Sequence, residues 1–301
     1  MEVQKLSDLF SELKNRTKRR LVVVNAVDEH SLLAVCKAIK LGIVSAILTG
    51  DKNEILDICK KNKIDSSLFE IIHTNDDQEA AYQAVRLIQE GKADIIMKGL
   101  INTDKYMKAL LNKEFGLLPP KAVLSHITII ENPNYHKLLI VSDVAVIPLP
   151  NLEQKITLTK YLIDTAHAMG IRKPKVALIA ATEQVLPNLP ACTDAAEIVR
   201  IYEDGGFADS VIAGPLALDL AVDKESAEIK KIDSPVAGDA DCLLFPNIES
   251  GNVFYKMNTK LCNSAQAAIV VGARVPAVLS SRGDSTETKL NSIALAAILC
   301  K

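Results

Sequence analysis

The chain has 301 residues, enough for one large domain or two of ordinary size, and two is the better starting division. Lysine and arginine total 35 against 37 aspartate and glutamate, a formal net charge of -2 with no long run of either sign, which argues against nucleic-acid and membrane-surface partners. The six cysteines show no CxxC or Cys/His spacing, so buried thiols in a reducing cytoplasm are expected rather than a disulfide framework or a structural zinc site.

The opening MEVQKLSDLFSELKNRTKRR predicts an amphipathic helix without the continuous apolar core of a signal peptide, and no apolar run is long enough to span a membrane. LVVVNA (21–26) reads as a buried strand, followed by a helix from about Glu29 and a second strand, SAILTG (45–50). DDQEAAYQAVRLIQEG (76–91) has acids in its first turn and Gly91 as a stop, and ADIIMKG (93–99) is a strand running into a Lys-Gly turn. The same grammar returns in KLLIVSDVAV (137–146), a helix ending at Gly170, KVALIAAT (175–182), DSVIAG (209–214), ADCLLFP (240–246) and AAIVVG (267–272). Strands alternating with helices predict an α/β chain of helix-covered parallel sheets, with breaks at the proline-containing stretches near Leu118 to Lys121 and Ile147 to Leu152. A last helix from about Ser285 carries Leu290, Ile293, Ala294, Ala297 and Ile298 on one face.

Ligands of such sheets bind beyond the carboxyl ends of the strands. There stand Lys98-Gly99, Ser125-His126, Asp143, Gly214-Pro215 with Asp219, and the turn from Pro246 to Asn252. Lys98 reads either as a surface lysine or as an anion contact, and His126, amid apolar residues, as a satisfied buried histidine or a base. Gly251, in a turn before a helix expected near Asn252, permits close backbone approach to a ligand.

SRGDSTETK (281–289) concentrates the chemistry. Asp284 with Glu287 three residues on has the spacing of a capping box, which competes with any catalytic role for either acid. Ser281 and Arg282 lie between a strand and a helix N-terminus, where free N–H groups favour an anion and an arginine adds a bidentate fork. GxGxxG, GxxxxGK[ST] and GxSxG are absent, so the common nucleotide-binding and serine-hydrolase patterns do not apply.

MKGLINT (97–103), GPLALDLA (214–221), GDADCLLFPNIESGNVFYK (238–256) and SSRGDSTETKLNSIALA (280–296), in this order, resemble the phosphate acetyl/butyryltransferases over nearly the whole chain. MKGL, LSH and SRGDSTETK are closer to the butyryl branch than to the acetyl branch. The resemblance implies two αβα three-layer domains with a cleft between them, similar to the isocitrate/isopropylmalate dehydrogenases, here drawn as 1–124 plus 275–301 and 125–274. It implies reversible transfer of a short acyl group, butyryl favoured, between coenzyme A and inorganic phosphate. CoA, acyl-CoA, phosphate and acyl phosphate are then its small-molecule partners, with no tightly bound cofactor, no metal and at least a homodimer in the cytoplasm.

By motif, Ser281 would contact the CoA sulfur and Arg282 the phosphoryl group, with Lys98, Gly99, Ser125, His126, Asn247, Gly251 and Asn252 as further phosphate or CoA contacts. The carboxylate proposed as thiol base in acetyl-specific relatives falls near Thr288, where this chain has none, so Asp284 or Glu287 takes that role or the base lies elsewhere. Two other classes compete. One is a metal-dependent dehydrogenase on the related fold, for which Asp219, Asp239 and Asp241 are available; the other is a binding protein without turnover.

Overall fold

The computed structural model describes residues 2–14, 16–279 and 283–300. Its contacts divide the chain into two compact units, Leu6–Leu124 with Ala267–Lys301 (the first unit) and Met1–Lys5 with Ser125–Gln266 (the second). In chain order the first stretch carries α1 (Asp8–Leu13), β1 (Arg19–Val24), α2 (Glu29–Lys40), β2 (Val44–Gly50), α3 (Lys52–Lys61), β3 (Phe69–His73), α4 (Asp77–Gln89), β4 (Ile95–Lys98) and α5 (Thr103–Leu110). The middle stretch carries β5 (Ser125–Glu131), β6 (Leu139–Ser142), α6 (Leu152–Ala168), β7 (Lys175–Ile179), α7 (Pro190–Glu203), β8 (Val211–Leu216), α8 (Leu218–Val222), α9 (Lys224–Ile229), β9 (Cys242–Leu244) and α10 (Ile248–Lys260). β10 (Ala265–Val271), β11 (Ala277–Val278) and α11 (Thr286–Leu299) complete the chain.

In the first unit the strands run β3-β2-β1-β4-β11-β10. All neighbours are parallel except β10 and β11. The chain reverses direction across the sheet between β3 and β4, and such a reversal sends helices to both faces. Accordingly α4 packs against β1, β2 and β4 with α5 against it, while α11 packs against α2 and α1. Aspartates start three of these helices: Asp28 accepts from Ser31 N, Asp51 from Asn53 and Glu54 N, and Asp76 from Gln78 and Glu79 N. Each satisfies donors that the first turn leaves without partners.

In the second unit the order is β5-β6-β9-β7-β8, with β5 antiparallel to β6 and the rest parallel. The expectation of purely parallel sheets is corrected by these two antiparallel pairs, β5–β6 and β10–β11, each joined by a connection too short for a helical crossover. Leu139, Val141, Ala177, Leu243, Phe245 and Phe254 belong to one continuous core with Leu220 and Val236. Ile140, Val176, Leu178 and Cys242 alternate with them and are also buried, so these strands are covered on both faces.

Two elements are shorter than predicted. The opening helix is confined to Asp8–Leu13, and the strand drawn over 137–146 stops at Ser142 because the Asp143 carboxylate captures the next three free N–H groups. α11 departs the other way: residues 289–298 are all buried, not one face only, and Ser292 is absorbed by donating to Thr288 O at 2.7 Å and accepting from Ala268 N at 2.9 Å.

At the amino ends of β6, β7 and β9, Asp239 accepts from His136 at 2.7 Å, Lys137 at 2.8 Å and Lys175, while Lys137 also reaches Asp241 at 2.8 Å. These aspartates, weighed above as metal ligands, are held by lysines. Partial burial opposes ionisation of Asp239, but the bonds from Lys137, Lys175 and His136 outweigh it and hold the carboxyl well below the usual carboxylate range. A carboxyl depressed by folding stabilises above its unfolded pKa of ~3.9 and loses that contribution as pH falls toward the folded value. Asp239→Asn should therefore cost about 1 to 2 kcal/mol at neutral pH, modest because the side chain is partly solvated, with the difference from the parent closing below about pH 4. Urea unfolding at several pH values checks this, and a gap independent of pH would remove the charge from the explanation.

Candidate active site

In the first unit, β1, β4 and β11 point their carboxyl ends the same way, with Val24 beside Lys98 and Met97 beside Val278. Lys98 is 2% exposed, which corrects the surface-lysine reading, and its Nζ donates to Gly99 O at 3.3 Å. Gly99 is dictated by this edge: a Cβ there would sit 2.5 Å from both Val24 O and Asn25 O. Asn25 adopts a left-handed φ of 51° and donates Nδ2 to Leu100 O at 2.7 Å, while Leu100 N returns a bond to Asn25 O at 2.9 Å. The loops after β1 and β4 are thereby stitched together at the edge where ligands of such sheets bind.

β11 ends at the same edge, and SRGDSTETK follows it in the sequence. Ser281 and Arg282 lie outside the described residues. From Gly283 onward the helix start differs from the predicted capping box by one residue: the cap is Ser285, whose Oγ accepts from Thr288 N at 3.1 Å, not Asp284. Thr288, the position at which the resemblance implied a carboxylate, is thus committed to the cap, with its Oγ1 3.2 Å from Ser285 Oγ. Glu287 has a side chain 61% exposed and lies 3.9 Å from Lys37. Asp284 is half-buried and acts electrostatically on Lys289.

Lys289 was not singled out by sequence reasoning. It is 3% exposed, and desolvation lowers its pKa against the opposing pull of Asp28 and Asp284. The available signal was its position: it falls inside the first turn of a helix whose next nine residues are all buried, so its ammonium has to be compensated within the protein.

In the second unit, Ser125 at the start of β5 and Asp143 after β6 meet because the two strands are antiparallel. Asp143 is 2% exposed and gathers five donors: Ser125 Oγ at 3.0 Å, His126 N at 3.2 Å, and the N–H groups of Ala145, Val146 and Ile147 at 2.8, 2.9 and 3.3 Å. Burial of a carboxylate requires this degree of satisfaction. His126 is 4% exposed with Nδ1 3.1 Å from Thr128 Oγ1, a buried polar pair along the strand.

Asn247 caps α10 by accepting from Ser250 N at 2.9 Å, so the helix begins four residues before the predicted start near Asn252 and takes Gly251 into its first turn. Asn252 donates Nδ2 to Val144 O at 2.9 Å. Ser125, His126, Asn247, Gly251 and Asn252 thus surround one loop, 143–148, while Lys98, Gly99, Asp284 and Glu287 belong to the edge of the other unit. Two surface concavities, one lined by Tyr82, Lys105 and Phe115 and one by His167, Arg172 and Asp209, contain none of these residues. Among the described residues no group of three or more His, Cys, Asp or Glu is placed to hold a metal, and no helix is long and apolar enough to cross a membrane.

A family model described as phosphate acetyl/butaryl transferase matches residues 77–297. The chain belongs to that family. Family membership fits the motifs read at both strand edges, which fall inside the matched span. Over 297 residues the chain is 42% identical to the phosphate butyryltransferase of Clostridium acetobutylicum, covering 99% of this chain and 98% of that protein. Among solved structures, the branched-chain phosphotransacylase of Enterococcus faecalis superposes with a TM-score of 0.82 at 30% identity, covering 94% of this chain and 99% of that one. The 4-hydroxythreonine-4-phosphate dehydrogenase of Klebsiella pneumoniae has a TM-score of 0.57 at 11% identity, over 94% of this chain and 100% of that one, a likeness of fold alone. The α/β, dehydrogenase-like fold class read from the sequence is therefore correct.

Proposed function

We propose that the protein is a phosphate butyryltransferase: it transfers a butyryl group reversibly between coenzyme A and inorganic phosphate, butyryl-CoA plus phosphate giving butyryl phosphate plus CoA. The observation that carries this reading is the end-to-end likeness, at 42% identity, to the Clostridium acetobutylicum phosphate butyryltransferase. The chemistry needs an anion site, a thiol site and a proton acceptor. In this reading Arg282 holds the phosphoryl group as leaving group and, in reverse, as nucleophile, because its fork matches two phosphate oxygens. Ser281 orients the sulfur by hydrogen bonding. Lys98 and Gly99 at one strand edge, and Ser125, His126, Asn247, Gly251 and Asn252 at the other, are proposed as further phosphate or CoA contacts.

Of the two candidate acids, the surroundings favour Asp284: it is half-buried beside Lys289, whereas Glu287 faces solvent near Lys37. An ordinary thiol titrates near 8.5 and an ordinary carboxylate near 4, so complete proton transfer before attack is uphill by roughly 6 kcal/mol. Proton transfer concerted with attack on the carbonyl avoids that intermediate. Sulfur forms its bond to the acyl carbon, the acyl C–O bond to phosphate breaks, and the thiol proton passes to the carboxylate. Direct transfer in a ternary complex is the simpler scheme, because no histidine stands next to Ser281 in the sequence to activate an acyl-serine route. All six cysteines are free thiols, in keeping with a cytoplasmic setting, and a homo-oligomer is the assembly we favour.

The test is release of free thiol from acetyl-, propionyl-, butyryl-, isobutyryl- and hexanoyl-CoA with and without phosphate. Phosphate-dependent release fastest with butyryl-CoA is expected. A preference for isobutyryl-CoA would move the assignment toward the branched-chain relatives, and release without phosphate would replace it with a thioesterase.

A further inference from the structure

α10 buries Phe254 in the core of the second unit and leaves an apolar ridge on its other side. Val253, Met257 and Leu261 are 68%, 40% and 79% exposed. They stand four residues apart, the spacing that lines side chains up in one row along a helix, and Glu249 occupies the position four before Val253. Leu149, 74% exposed, extends the row at its N-terminal end, because Ile248 N donates to Pro148 O at 2.9 Å and holds that segment beside the first turn. The other large exposed apolar side chains described in this unit, Val185 and Ile229, stand singly on a loop and at the end of α9. Single exposed apolar residues need no partner, whereas a contiguous row of them marks a contact surface. Charge decides what covers it. Glu249 lies in the first turn of α10 and Lys260 in the last, with Lys256 one turn earlier, all three exposed and none in an ion pair among the described residues. That order suits the dipole of a single helix. It also makes the helix its own complement. In a copy laid antiparallel about a two-fold axis passing by Tyr255, Glu249 faces Lys260 of the second copy, Val253 faces Met257, and Leu261 comes to the end where Leu149 stands. A contact of this isologous kind forms every such pair twice.

We propose that the face of α10 formed by Glu249, Val253, Met257, Lys260 and Leu261, with Leu149 beside it, is the surface on which two copies of this chain pair. The proposal deepens the homo-oligomer favoured above by naming its face, and it is read by mass, so a chain inactive as a transferase would leave it standing. Pairing there braces the helix whose start carries Asn247, Gly251 and Asn252, the last of which holds the loop after β6 through Val144 O.

The experiment measures the mass of the full chain by sedimentation velocity over a concentration range of about 1 to 100 μM. The parent should run at an even number of 32.6 kDa chains. Met257→Asp, which sets an unpaired carboxylate at the centre of the contact, should run at half the parent mass or less. Ile229→Asp, at an apolar position just as exposed but away from the ridge, should keep the parent mass. Glu249→Lys and Lys260→Glu each bring like charges together and should each raise the Kd of pairing by about 10-fold, while the double variant, which restores opposite signs, should return to within about 3-fold of the parent. Should Met257→Asp not fold, this charge exchange between two exposed positions carries the test. A parent that stays a single chain at the highest concentration would overturn the proposal. So would a folded Met257→Asp at the parent mass, an Ile229→Asp that dissociates as readily, or a double variant that pairs no more tightly than either single one.

Discussion

Arg282→Ala should lower kcat/KM for phosphate-dependent CoA release by about 100- to 1,000-fold, the range seen when one preorganised group that meets developing charge is removed. Phosphate is the nucleophile in one direction and the leaving group in the other, so a guanidinium on its oxygens acts where charge changes most. Arg282→Lys should recover little, because an ammonium keeps the charge but loses the two parallel donors. The loss should be present in both directions of the reaction, since the same transition state is crossed. The thiol-release assay and its reverse, consumption of CoA by butyryl phosphate, measure both. A loss under about 3-fold would return Arg282 to the role of a solvated side chain, and complete rescue by lysine would replace the fork with a simple point charge.

The strand and helix alternation was legible because several strands, β1 and β10 among them, are buried over most of their length and read as apolar, β-branched runs; LVVVNA and AAIVVG leave little alternative. What failed in the sequence reading has physical causes that can be named. β6 ends early because one side chain, Asp143, offers its oxygens to the backbone ahead of it, and nothing in KLLIVSDVAV distinguishes that aspartate from one facing solvent. The cap of α11 was misplaced by one residue because Asp284 and Ser285 are both good caps and only geometry chooses between them. Lys98 and Lys289 were harder still: lysine is nearly always a surface residue, and nothing in the local sequence marks either as buried. The two strand edges where the candidate residues gather could be named from the sequence because ligand sites at strand carboxyl ends follow from topology. Which of their residues hold the loops in shape was visible only once neighbouring backbone was in place.

Gly251→Ala separates those two duties. Alanine is the better helix former by about 1 kcal/mol, so a glycine in the first turn of α10 needs a reason. An added Cβ would stand 2.4 Å from Asp143 O, and the obstacle is backbone, which cannot rotate away. Residue 143 cannot retreat alone either, because its carboxylate holds Ser125, His126 and the N–H groups of 145 to 147. The substitution must therefore move α10 away from the loop after β6, breaking the bond from Asn252 Nδ2 to Val144 O or that from Ile248 N to Pro148 O. An expected cost of about 3 to 5 kcal/mol follows for a core clash without a soft neighbour, or a midpoint lower by roughly 10 °C. Activity should fall with stability, because Ser125, His126, Asn247 and Asn252 all hang on the same loop. If glycine were present instead to let a ligand approach the helix, Gly251→Ala would leave the thermal midpoint near that of the parent and raise the KM for CoA alone. Thermal unfolding and the KM for CoA, measured on one preparation, decide between packing of backbone on backbone and room for a substrate.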